Sequence, residues 1–68
     1  MPKPILLRSL LKNLQRYGFV FISQKGSHAK FAKGQFTTIV PMHGKEIPHG
    51  TFRSILRQTN LTEENLKK

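Results

Sequence analysis

The stretch from Phe19 to Val40 constrains the fold of this chain more than any other, because two breaks divide it into three β-prone runs. Phe19-Val20-Phe21-Ile22 is aromatic and β-branched, the residue types that suit a pleated, half-buried surface. Lys25-Gly26-Ser27 ends that run, and a second extends from about His28 to Lys33. Gly34-Gln35 then reads as a two-residue hairpin loop, with glycine where a type II′ turn requires it. Phe36-Thr37-Thr38-Ile39-Val40 is the third run, closed by Pro41, which cannot donate to a ladder.

Helical patterns flank these runs. Leu7, Leu10, Leu11 and Leu14 recur at helical spacing, with Arg8, Lys12, Asn13 and Gln15 on the other face. Pro4 suits a first turn and Gly18 a C-terminal stop, so the spacing predicts a helix over about residues 4–16. Met42 to His49 is polar and reads as irregular. Gly50-Thr51 starts a second helix with a stripe of Phe52, Ile55, Leu56 and Thr59, and Thr62 caps a last short turn through Leu66. The order is α-β-β-β-α: an α+β fold with one three-stranded antiparallel sheet and helices on one face. Sixty-eight residues make one domain, 1–68, with no internal repeat or linker. Such a chain buries only about 60% of its unfolded surface, so the core is thin.

Strand parity assigns the faces. With the hairpin at Gly34-Gln35, Ala29, Phe31, Phe36, Thr38 and Val40 share one side, the more apolar, which should meet the helices. His28, Lys30, Ala32, Thr37 and Ile39 share the open side. The first run is apolar on both sides, which leaves Val20 and Ile22, or Phe19 and Phe21, without an evident cover; a partner surface is one solution.

Charge points to the class of partner. Twelve Lys and Arg against Glu46, Glu63 and Glu64 give a net charge of +9, and no acid occurs between Met1 and Lys45. Such a field attracts polyanions, and counterion release favours phosphate-backbone binding without base reading. Nucleic acid is the leading partner; an acidic protein, a membrane surface or a purely structural basic role are the alternatives. The longest apolar run, Phe19 to Ile22, is far short of the roughly 20 residues that span a bilayer. Arg8 and Lys12 interrupt any signal-peptide hydrophobic region near Lys3. The absence of cysteine rules out disulfide staples and suits a reducing cytoplasm.

Chemistry concentrates in two clusters. In Gln24-Lys25-Gly26-Ser27-His28, lysine neutralises phosphate, glycine admits a close ligand, serine can donate to a phosphate oxygen, and histidine suits proton transfer near neutrality. A ribonuclease without metal needs little more: a base for the ribose 2′-hydroxyl, cations for the developing charge and an acid for the leaving 5′-oxygen. The bland alternative is a turn whose surface histidine only binds RNA. The second cluster runs from Pro41-Met42-His43-Gly44-Lys45 to His49-Gly50-Thr51. There His43 is a candidate second proton-transfer group, Lys45 a phosphate contact, and the helix start near Thr51 an anion site or merely an N-cap. A metal site is disfavoured, since the chain has no Cys or Asp and no histidine pair at helical spacing. A Ser27–His28 nucleophile pair is equally poor, because neighbours along a strand face opposite ways.

Lys25-Gly26-Ser27-His28 with Phe31, then Val40-Pro41 with His43, then Gly50-Thr51-Phe52-Arg53 with Ile55-Leu56, resemble the HicA (YcfA-like) family of mRNA interferase toxins. The likeness covers nearly the whole chain, including Tyr17-Gly18-Phe19 and the tail Thr59-Asn60-Leu61-Thr62. It implies a double-stranded-RNA-binding-like fold and cleavage of mRNA without metal or other cofactor. The histidine of the Gly-Ser-His motif, here His28, is implied to be catalytic. In the leading reading of the residues themselves, Lys25 and Lys30 hold phosphate while Gly26 and Ser27 shape the approach. The resemblance also implies a HicB-type antitoxin that masks the active site, hence a hetero-oligomer of the two proteins, and repression of their own promoter through the antitoxin. Two positions depart from the pattern. Phe52 stands where leucine is commoner, and Ala29 where many members carry a polar or larger residue.

Overall fold

The computed structural model describes residues 4–67, so Lys3 lies outside the described residues. The elements run β1 (Ile5–Leu6), α1 (Leu7–Arg16), β2 (Val20–Lys25), β3 (His28–Lys33), β4 (Phe36–Pro41), β5 (Glu46–Ile47), α2 (His49–Thr59) and α3 (Glu63–Lys67). Strands β2, β3 and β4 form an antiparallel sheet in that order. The architecture is α+β, a double-stranded-RNA-binding-like arrangement with helices packed on one face of the sheet.

The leucine stripe of α1 does face the core: Leu10 and Leu14 are fully buried, in one cluster with Phe19, Phe31, Val40, Phe52 and Ile55. Burying side chains of this size contributes roughly 1.5–3 kcal/mol each, which is how so short a chain holds two layers together. Gly18 ends α1, at φ +95°. Its N–H donates to the Gln15 carbonyl at 3.0 Å, and the Phe19 N–H donates to the Leu14 carbonyl at 2.9 Å. This is a Schellman closure, and it delivers Phe19 into the core beside Leu14. Phe19 is therefore a cap residue, and the strand begins one position later.

Three expectations need correction. Helix α1 starts at Leu7, because Ile5 and Leu6 are extended and pair with Ile47 and Glu46. The segment from Met42 to His49 is accordingly not wholly irregular. This small ribbon buries Ile5 and Ile47, and the Leu7 N–H donates to the Lys45 carbonyl at 2.9 Å. Asn13, placed by periodicity on the polar face, is buried; its amide donates to the Leu66 carbonyl at 3.0 Å. That bond satisfies a carbonyl that the end of α3 leaves without a helical partner. The start of α3 has its own reciprocal cap, with the Asn65 N–H donating to the Thr62 hydroxyl and the Thr62 N–H to the Asn65 side chain.

The register fixes which side chains meet the helices. Ala29 pairs with Val40 and Phe31 with Thr38, and all four are buried. The Thr38 hydroxyl donates to Gln58 of α2 at 2.7 Å, tying that helix to β4. Lys33 pairs with Phe36, which leaves Gly34-Gln35 as a two-residue loop with positive φ at its glycine, as a type II′ turn demands.

Candidate nucleic-acid interface

The open face of the sheet is built from a tight hairpin. Lys25 pairs with His28, so the turn between β2 and β3 is only Gly26-Ser27, and Lys25 is still part of the strand. Gly26 sits at φ +60° with open space where a Cβ would stand. Backbone conformation, and not crowding, is what selects glycine there. The Gln24 side-chain amide donates to the Gly26 carbonyl at 2.9 Å and closes the turn from outside.

Three cross-strand rows line this face. His28 stands between Lys25 and Pro41, Lys30 between Ser23 and Ile39, and Ala32 between Val20 and Thr37. Lys25, His28 and Lys30 are all exposed. Directly opposed residues of an antiparallel pair have their side-chain roots about 5 Å apart, so Lys25 and His28 can act on one ligand group. Lys30 follows His28 by two residues on the same side. An imidazole flanked by two ammonium groups, open to solvent and with no carboxylate in its row, suits an anionic ligand. Among the described residues His28 has no hydrogen-bond partner to orient its ring.

The remaining candidates are divided. The Met42 N–H donates to the Ser27 carbonyl, which ties the segment after β4 to the turn bearing His28. His43 and Lys45 lie exposed in the bend that follows. Lys45 also borders a groove of about 410 Å³ lined by Leu6, Leu7, Arg8, Leu11 and Gly44. Thr51 lies in the first turn of α2, whose N-cap is Pro48, so it is not the cap residue. It belongs to the helical layer and not to the face of His28. Pro41, the other neighbour of His28 on this face, escaped sequence reasoning as a site residue; strand parity across the Gly34-Gln35 turn was the signal for it. Ala29 is buried against the helices, so its small side chain is a packing residue.

Among the described residues no group of three His, Cys, Asp or Glu side chains is placed to hold a metal ion. Among the same residues no helix is long and apolar enough to cross a membrane. The family model for the HicA toxin of bacterial toxin–antitoxin systems matches residues 3–61. The chain belongs to the HicA toxin family. Comparison with curated proteins finds no match. The HicA match spans every strand of the sheet together with α1 and α2, and thus all of the open face. Membership makes the chain the toxin of a toxin–antitoxin pair and gives it an antitoxin as partner.

Proposed function

We propose that this toxin is an endoribonuclease that cleaves mRNA in the cytoplasm without a metal ion, that residues 1–68 act as one domain, and that a HicB-type antitoxin neutralises it. The observation that carries the reading is the row formed by Lys25 and His28 on the open face, with Lys30 beside it.

RNA approaches as a polyanion, drawn by a chain of net charge +9. Lys25 and Lys30 hold the scissile phosphate, while Gly26 and Ser27 let the backbone and a hydroxyl come close. His28 takes the proton of the ribose 2′-hydroxyl as that oxygen attacks phosphorus. The bond to the 5′-oxygen breaks, and that oxygen is protonated as it leaves, by His28 itself or by a second group for which His43 is the candidate. The products are a 2′,3′-cyclic phosphate and a 5′-hydroxyl. Lys45, exposed in the bend after β4, extends the phosphate track beyond the cleaved bond. Positioned proton transfer of this kind is worth about 10²–10⁴-fold in rate.

One observation favours a second reading, a non-catalytic RNA-binding module of the same fold. His28 has no partner to fix its ring, whereas catalytic histidines are commonly oriented by a hydrogen bond. The readings separate when purified toxin is incubated with a long single-stranded RNA in EDTA and the new ends are typed. Cyclic phosphate and 5′-hydroxyl ends are expected. Binding without cleavage establishes the module instead, and cleavage restored only by added divalent metal refutes the metal-free route.

A further inference from the structure

The least explained surface lies one strand away from His28. Strand β2 is an edge of the sheet, and Val20, Phe21 and Ile22 on it are 57%, 52% and 51% exposed. These are three consecutive large apolar side chains. Val20 shares the open face through its pairing with Ala32, while Phe21 shares the helical side through Phe31, its ring edge-on at 5.8 Å. The ladder slips between Phe21 and Ser23, leaving Ile22 at the irregularity. Among the described residues no backbone hydrogen bond reaches the outer side of β2. Edge strands are usually blunted by lysine, proline or a covering loop, since unpaired backbone and apolar side chains together recruit another strand. Here Lys25 at the end of β2 and the slip at Ile22 blunt the edge only in part, and neither covers Val20, Phe21 or Ile22.

We propose that β2 is the docking edge for the antitoxin, which adds an extended strand alongside Val20–Lys25. The inference rests on the toxin–antitoxin reading above and specifies how that partner is held. A second copy of the chain is the poorer occupant, because it would bring +9 against +9. RNA is poorer too, since the edge offers aliphatic side chains and unpaired amides, and only Phe21 to stack on a base. The partner strand carries apolar side chains on both faces opposite Val20, Phe21 and Ile22, and an acid opposite Lys25. Backbone bonds supply affinity and the side-chain pattern supplies specificity. Strands in a sheet lie about 4.8 Å apart, so the added strand runs roughly 10 Å from β3, close enough for the rest of the antitoxin to cover His28.

The test uses full-length toxin and the antitoxin encoded beside it. Ile22→Ser should weaken binding about tenfold or more, the loss expected when a central apolar anchor is removed. RNA cleavage by the free variant and its melting temperature should stay at the parent values. As a readout independent of any substitution, hydrogen exchange at amides 20–25 should slow markedly in the parent complex. Unchanged affinity together with unprotected amides overturns the docking edge; if that complex is still inactive, the antitoxin reading survives. An antitoxin that binds neither protein overturns both. Protection of the same amides by RNA alone, or by self-association seen in light scattering, gives the edge to another occupant and refutes the proposal.

Discussion

The two faces of β3 and β4 are written by alternate residues of the same two strands, yet they live in opposite environments. On one, Ala29, Phe31, Thr38 and Val40 are buried against the helices. On the other, His28, Lys30 and Thr37 face solvent, and Ile39 is 40% exposed. The covered face binds the two layers of the protein together, whereas the open face contributes little to stability and carries the charge. A sheet lets a chain this small do both, because a period of two separates packing residues from binding residues without extra length. Substitutions one residue apart should therefore have separable consequences.

The largest separation is expected for Phe31→Ala set beside Lys30→Gln. Removing the Phe31 ring from the core, where it also meets Phe21, should cost about 3–5 kcal/mol of stability in denaturant titrations. The lysine variant should stay within about 0.5 kcal/mol of the parent. Equal losses would mean that the open face is structural after all. A smaller effect, about 1–3 kcal/mol, is expected for Asn13→Ala, which leaves the Leu66 carbonyl without its partner. It should leave RNA affinity unchanged in a filter-binding assay, since Asn13 belongs to the helical layer. The smallest effect sharpens the open face itself. Lys30→Gln should reduce the salt dependence of single-stranded RNA binding by about 0.7 in the log–log slope, as one phosphate contact is lost. An unchanged slope would remove Lys30 from the phosphate track.

Legibility followed locality. Strands β3 and β4, their two-residue turn and their facing were readable because turn chemistry and a period of two act over a few residues. The ribbon of Ile5–Leu6 with Glu46–Ile47 was not, since it depends on a pairing between segments far apart in the chain. Pro4 ahead of the apolar pair Ile5-Leu6 reads locally as a helix start, and only the distant partner strand makes that pair extended. Asn13 misled for the same reason: its polarity says surface, and only the arrival of α3 makes it a buried donor. The slip at Ile22 likewise belongs to the ladder and leaves no mark in composition.

The candidate site divides along that line. Lys25, Gly26, Ser27, His28 and Lys30 are close in sequence, so one hairpin gathers them. His43, Lys45 and Thr51 depend on how the loop after β4 and the start of α2 are held, which spacing does not encode. The apolar character of β2 was visible in the sequence, but its place at the sheet edge comes from the pairing order.

The central claim is that His28 performs proton transfer and does not merely hold RNA. It is tested most directly by His28→Ala, with cleavage of a long single-stranded RNA and binding to the same RNA measured side by side in EDTA. Cleavage should fall about 10²–10⁴-fold while affinity changes little and the fold remains intact. Cleavage at the parent rate by the alanine variant would contradict the claim.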